Sequence, residues 1–245
     1  MSLFFISIQG SYHDFKVVVF DDKKIIDAST KITQKASSAL ILNVDSILKK
    51  NNLMLDDIKF ITIDQGPGAF TSLRTIITIA NSISFARDIP LVGVDGLEAL
   101  AQETIDSISK ENLSKNPTLL ISILNAYNKE VYFAIHPIEE TSEGKLQLKV
   151  AIAKNYNKLD LLLHELSENY SKEIILFTGN GVSLYKKEIQ EILLNQAIFL
   201  STLVELSSAE QIGKMGLEQW NRQENIQKSL SPLYLKSQKF ATRKK

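Results

Sequence analysis

The chain has 245 residues, with 28 Lys+Arg balanced by 28 Asp+Glu and no cysteine. Without Cys there is no disulfide framework, no thiolate nucleophile, no Cys-ligated zinc and no iron–sulfur cluster, and a reducing compartment is the natural setting. Zero net charge argues against a whole-domain electrostatic grip on nucleic acid.

The opening segment from Leu3 to Ile8 is apolar but short. It lacks the charged start and longer apolar core of a signal peptide, so a first strand is expected, and no run approaches the ~20 residues of a membrane span. Phe15 to Phe20 reads as a second strand and Lys24 to Ala28 as a third, joined by the turn Asp21-Asp22-Lys23. From Thr33 to Lys50 the pattern becomes helical. Ala36, Leu40, Val44 and Ile47/Leu48 form its apolar stripe, and Asn51-Asn52 stops it. Ile58 to Ile63 is a buried strand. Phe70 to Ala86 holds Thr75 to Ile79, which has strand propensity, but its length and its lack of Gly and Pro favour a helix. That helix is expected to be apolar around most of its circumference and covered on more than one side. Leu91 to Val94 is a strand and Leu97 to Ser109 a helix.

Glu111 to Pro117 is a polar break, which divides the chain into residues 1–110 and 111–245. Strands then follow at Thr118 to Leu124, Glu130 to Ile135 and Leu146 to Ala153, with a polar loop at Glu139 to Lys145. Leu159 to Ser167 reads as a helix, Ile174 to Phe177 as a strand and Thr178 to Gly181 as a turn. Helices follow near Leu184–Asn195 and Ala209–Arg222. The order βββαβα thus occurs twice, the second time in degenerate form. Mixed sheets with helices on their faces make this an α/β protein.

The most informative segment is Gly66-Pro67-Gly68-Ala69-Phe70-Thr71-Ser72-Leu73-Arg74. Pro67 restricts Gly66, Gly68 can take positive φ, and Thr71 or Ser72 can cap the following helix. Two readings stand side by side. One is a capped strand-to-helix turn. The other is a contact for a phosphate or a partner carboxylate, with Arg74 one turn in.

With this loop the chain resembles the TsaB (YeaZ) family of tRNA threonylcarbamoyladenosine biosynthesis, of the actin-like/ribonuclease-H-like superfamily. The family shows GPGSFTGxR where this chain has Gly66 to Arg74, and IPLVGVSSLEALA where it has Ile89 to Ala101. DARxxEVY is similar to Asn125 to Tyr132, and PxYLR to Pro232 to Lys236. The resemblance implies two tandem ribonuclease-H-like subdomains, with the last helix and tail returning to the first. It implies a cytoplasmic, non-catalytic partner of TsaD, the subunit that transfers threonylcarbamoyl to adenosine 37 of tRNA, with the ATPase TsaE joining. The TsaD contact would come from the helices near Thr33–Lys50 and Phe70–Ala86, through Ala36, Leu40, Val44, Phe70, Leu73, Ile76, Ile77, Ala80 and Ile83. The chain alone is expected to bind no cofactor, though an adenine nucleotide could lie at the shared interface. Contact with tRNA would be indirect or through the basic tail Lys239 to Lys245.

The residues bear on three catalytic alternatives. His13, His136 and His164 are far apart and no HxxxH pair exists. Gln9 stands where actin-like kinases and the family itself place an acid, and no GxxxxGK[ST] occurs. No G-x-S-x-G elbow is present either. Further departures are Ala36 at the first helix, Ser72 for Gly, Asn125 for Asp, Tyr127 for Arg and Lys236 for Arg. They weaken a nucleotide or anion site more than the fold. The competing readings are an independent actin-like ATPase, kinase or metallopeptidase-like enzyme, and a homodimeric interaction protein.

Overall fold

A computed structural model describes residues 2–10, 12, 14–32, 36–108 and 115–236. The first half runs β1 (Phe4–Gln9), β2 (Asp14–Asp21), β3 (Lys24–Ile32), α1 (Ala36–Lys50), β4 (Ile61–Asp64), α2 (Phe70–Arg87), β5 (Leu91–Val94) and α3 (Gly96–Ser107). The second runs β6 (Leu119–Asn125), β7 (Glu130–Glu140), β8 (Leu146–Leu148), β9 (Ala153–Lys158), α4 (Leu159–Asn169), β10 (Ile175–Thr178), α5 (Asn180–Leu193), β11 (Ala197–Phe199) and α6 (Ala209–Arg222). A two-residue strand, β12 (Ile226–Gln227), follows. Each half therefore continues past βββαβα with one more strand and helix.

The first sheet has the order β12-β5-β4-β1-β2-β3, antiparallel across β1–β2–β3 and parallel across β1–β4–β5. The second has the order β11-β10-β6-β7, with β8 and β9 both pairing the long β7. The expected third strand, Leu146 to Ala153, is broken: β8 stops at Leu148, and a fourth strand, β9, starts at Ala153. Its sequence, Ala-Lys-Asn-Tyr-Asn-Lys, is too polar for a reading by apolar runs, because the strand is only half-buried.

Side-chain alternation explains the layers. Ile6, Ile8, Val17, Val19, Ile61 and Ile63 point to one face of the first sheet, where α1 and α2 cover them. Phe5, Val18, Phe20, Phe60 and Val92 point to the other, where α6 lies with Ala209, Leu217 and Trp220. On this face the rings of Phe20, Phe5, Phe60 and Trp220 form one continuous stack with centroids 4.4–4.6 Å apart. The second sheet turns Ile121, Ile123, Phe133 and Phe177 toward α4 and α5. Leu120 and Leu176 face α3 through Ala101 and Ile105. The last helix of each half thus crosses to the other half's sheet, and α3 and α6 pack together between the sheets.

Close approach of α6 depends on two glycines. A Cβ on Gly213 would lie 2.4 Å from the Phe20 ring, and one on Gly216 2.2 Å from Thr62 Cγ2. Gly216→Val should therefore lower stability by about 2 kcal/mol through overpacking. On α2, Ile76 is 2% exposed and faces the first core. Ile76→Asp should cost about 4 kcal/mol, read by urea unfolding, since the charge has no partner there.

Candidate functional site

The Gly66–Arg74 segment is a strand-to-helix turn, tied down from below. Asp64, at the buried end of β4, accepts the Gly66 N–H at 2.7 Å, and the Gly66 carbonyl accepts the Gly96 N–H at 2.8 Å. The left-handed residue is Gly66 (φ 88°), joined to Pro67 by a cis peptide, and not Gly68. A Cβ at Gly66 would meet Leu73 at 2.6 Å, so the turn and the first turn of α2 are packed against each other. The expected cap is absent. Ala69 occupies the N-cap position without a side-chain bond, and Thr71 and Ser72 lie inside the helix. The Ser72 hydroxyl is used elsewhere, donating to the Tyr12 carbonyl. With the Asp64 carboxylate already on the Gly66 N–H, the turn is poorly suited to an added anion.

The α2 side chains expected at a partner surface are mostly interior. Leu73, Ile76, Ile77 and Ala80 of α2, with Leu40 and Val44 of α1, are buried in this chain's own core, and Ile83 is half-buried against it. They are packed against β1, β2 and β4, so the outward face consists of other residues. Ala36 begins α1, and its side chain lies outside the described set. The outward stripe of α2 follows helical spacing through Phe70, Thr71, Arg74, Thr75, Thr78, Ser82 and Phe85. Phe85 is 93% exposed. The Thr75 and Ser82 hydroxyls bond back to the Thr71 and Thr78 carbonyls, which removes donors from the stripe. The helix is therefore not apolar around its circumference: one face is core and the other is small and hydroxylated with an aromatic at each end. Beside it Ile41 and Leu42 of α1 are also exposed.

Arg74 pairs with no carboxylate among the described residues. Its Nε donates to Tyr234 Oη at 2.7 Å, and its guanidinium carbon lies 3.8 Å from the Phe70 ring centroid. A groove of about 340 Å³ opens beside it, lined by Phe70, Thr71, Arg74, Thr75, Thr78 and Ile79.

A second depression, of about 570 Å³, separates the two halves. Gln9, Tyr12, Asp14, Lys16, Asn125, Tyr127, Asn180 and Glu205 are among its walls. Its groups are largely engaged with one another. Tyr12 donates to the Asn125 carbonyl at 2.9 Å, and Asn180 Oδ1 accepts the Asn125 N–H at 2.8 Å. Lys16 is held by Glu210 at 2.5 Å, and Ser183 donates to Glu205 at 2.5 Å. Burial pushes the Tyr12 phenol far above its ordinary value, so it remains a donor at any physiological pH. The cleft's acids are Asp14 and Glu205, on elements that the position-9 comparison does not reach.

The two described histidines, His136 and His164, do not converge. His136 is buried on the α3 side of the second sheet, its Nδ1 3.2 Å from the Lys149 carbonyl, and burial lowers its pKa. His164 is on the exposed face of α4, and His13 lies outside the described residues, as do Ser11 and the tail from Ser237. Among the described residues no three of His, Asp and Glu are grouped to hold a metal. No described helix is long and apolar enough to cross a membrane.

One cluster that the sequence reading missed joins the halves. Asp95 caps α3, accepting the Leu97 and Glu98 N–H groups, and Lys154 of β9 reaches both Asp95 (2.5 Å) and Glu98 (2.8 Å). Burial raises the Asp95 carboxyl, while Lys154 partly offsets it. For Lys154 burial acts downward, but the two acids outweigh it and its pKa is raised. The local signal was the Asp95-x-x-Glu98 spacing, a capping pattern before an apolar run.

Two facing ribonuclease-H-like halves with exchanged helices define an actin-like protein. The family model described as "TsaD: tRNA N6-adenosine threonylcarbamoyltransferase" matches residues 30–243. Among similar proteins is the "tRNA threonylcarbamoyladenosine biosynthesis protein TsaB" of Buchnera aphidicola (subsp. Acyrthosiphon pisum). It is 26% identical over 69% of this chain and 77% of its own. The Bacillus subtilis TsaB is 26% identical over 71% and 69%. A Pseudomonas aeruginosa crystal structure, described as similar to peptidase YeaZ, superposes with a TM-score of 0.73 at 18% identity, covering 96% of this chain and all of that one. The chain thus belongs to the family of that model and, within it, to the TsaB (YeaZ) group.

Two measurements check the electrostatics. Lys154→Ala should lower stability by about 2 kcal/mol, because it leaves two acids without their cation, one of them well buried. Lys236 bonds Glu130 at 2.6 Å and holds its carboxyl below the usual range. That contribution is full above the unfolded glutamate pKa of about 4.3 and is lost as pH falls through the lower folded value. Lys236→Ala should therefore cost up to about 1 kcal/mol at pH 7 in chemical unfolding, and less as the pH falls below the carboxylate range.

Proposed function

We propose that this chain supports threonylcarbamoyladenosine modification of tRNA as the non-catalytic partner of a TsaD-like subunit. The single observation that carries the non-catalytic part is Gln9. It ends β1 at the wall of the inter-half cleft, where actin-like phosphotransfer places a carboxylate to organise metal and water. A neutral amide can accept hydrogen bonds but supplies no charge. The pathway itself is supported by relatives that carry the TsaB name.

The partner-facing part rests on the outward stripe of α2 and the neighbouring Ile41 and Leu42 of α1. Small hydroxylated residues between Phe70 and Phe85 let a second helix approach closely, and the two aromatics are natural anchors. On this reading a TsaE-like ATPase joins the assembly in the cytoplasm. An adenine nucleotide belongs to the shared face and not to this chain alone. The partner does the chemistry and holds tRNA, with the basic tail as a secondary contact.

Asp14 and Glu205 in the cleft favour a second reading, an actin-like enzyme with relocated acids. Metal-dependent ATP turnover by the isolated chain near ~1 s⁻¹ would establish it. The leading reading predicts none.

In a reconstituted reaction with TsaD-like and TsaE-like subunits, omitting this chain should reduce modification to background. Undiminished turnover would overturn the proposal. Phe85→Asp should weaken association with the TsaD-like subunit at least about tenfold, equivalent to ~1.4 kcal/mol, without lowering the melting temperature. Light scattering that shows a dimer unchanged by that subunit would instead favour self-association.

A further inference from the structure

The outward face of α2 is not built by α2 alone. After α6 the chain returns as a strap along this helix. Asn81 grips the backbone of Leu230 at both ends, its Oδ1 accepting the N–H and its Nδ2 donating to the carbonyl, each at 2.9 Å. Ser84 donates to the Lys228 carbonyl at 3.0 Å. Gln65, just before the Gly66 turn, donates to the Ser231 carbonyl at 2.9 Å, and its own carbonyl accepts the Leu233 N–H at 2.8 Å. Leu230 is buried in the first core, and Leu235 packs against Tyr12, Leu97 and Leu124 between the halves. These contacts fix the backbone on both sides of Tyr234.

Tyr234 is exposed, yet its hydroxyl accepts the Arg74 Nε–H at 2.7 Å. Its ring lies 6.2 Å from that of Phe70, and the guanidinium carbon sits 3.8 Å from the Phe70 centroid and 5.6 Å from that of Tyr234. Arg74 is therefore held through Nε and through its plane. Its Nη edge is left for an acceptor, and among the described residues no carboxylate pairs with it. A fork fixed in this way suits a bidentate carboxylate, and ordering it beforehand lowers the entropy lost on binding.

We infer that Tyr234 is a positioning residue for binding: it holds Arg74 as a preset fork, and the fork takes a carboxylate from the protein partner that covers α2. The inference rests on α2 being the partner face. The occupant is a protein segment with an acidic side chain next to an apolar one. The groove beside the fork is lined by Phe70, Thr71, Thr75, Thr78 and Ile79, which offer rings and methyl groups. Among the described residues Arg74 is the one cation in that lining. A nucleic-acid backbone would need several.

The test uses the full chain and a purified TsaD-like subunit, with affinity followed by titration calorimetry at two salt concentrations. Tyr234→Phe, which keeps the ring and removes the acceptor, should weaken binding about threefold. Tyr234→Ala should weaken it about tenfold, and Arg74→Lys should not restore wild-type affinity because an ammonium cannot present a fork. In an Arg74→Ala background, Tyr234→Phe should have no further effect, and the salt dependence of binding should fall. A merely structural Tyr234 would change the melting temperature and not this coupling. If Tyr234→Ala fails to fold, Tyr234→Phe and the coupling decide the matter alone. Wild-type affinity in both Tyr234 variants, or a change in binding to tRNA but not to the subunit, overturns the inference. No binding by the wild-type chain would instead overturn the partner reading on which it stands.

Discussion

The contact on which the rest depends is the close seating of α6 on the first sheet. Gly213 and Gly216 let its backbone meet Phe20 and Thr62 at distances no side chain would permit. Ser7 strengthens the seat by donating to the Ala209 carbonyl at 2.6 Å. Because α6 belongs to the second half, this seating sends the chain back across the molecule. It buries Phe5, Phe20, Phe60 and Trp220 in one stack. It also delivers β12 to the edge of β5, and from there the strap to α2.

The return of α6 and the outward passage of α3 make the halves interdependent. Each sheet is covered on one face by its own two helices and on the other by the last helix of its neighbour. The Asp95–Lys154–Glu98 cluster and the Tyr12–Asn125 bond lie in this shared layer. Tyr12 also accepts the Ser72 hydroxyl at its carbonyl, so the first turn of α2 is linked to the wall of the cleft. The α2 surface is thus held from three directions: the core beneath, the hairpin at Tyr12 and the strap beside it. Such a surface loses little freedom when a partner arrives.

Much of this architecture was legible in the sequence because it rests on local periodicity. The runs Leu91–Val94 and Ala209–Arg222 coincide with β5 and α6 residue for residue. The strand propensity of Thr75–Ile79 gave way to a helix, since the Ile side chains at 76 and 77 and Ala80 meet one core at helical spacing. The polar strand β9 was illegible for a different reason. It is defined by pairing with β7, and its half-buried residues carry no apolar alternation. The site was less legible than the fold. Gly, Pro and Arg drew attention to the Gly66–Arg74 loop, but did not show which φ would be positive or what Arg74 would meet. Tyr234 is 160 residues away from Arg74, and no local pattern encodes that meeting.

The same distinction separates what α2 does for the fold from what it offers outside. An apolar helix read from sequence could be buried by its own chain or by a partner, and composition does not distinguish the two. Here Leu73, Ile76, Ile77 and Ala80 are used by the chain itself. What remains outward is a stripe in which the Thr75 and Ser82 hydroxyls are turned back on the Thr71 and Thr78 carbonyls, bounded by Phe85 at one end and by the Phe70–Arg74–Tyr234 stack at the other. A face with fewer free donors favours close packing over hydration, and on the proposed reading Arg74 sets the register of the partner segment. The balanced charge of the chain fits this arrangement. On the proposed reading recognition is concentrated in the Arg74 fork, and such recognition requires no broad electrostatic field.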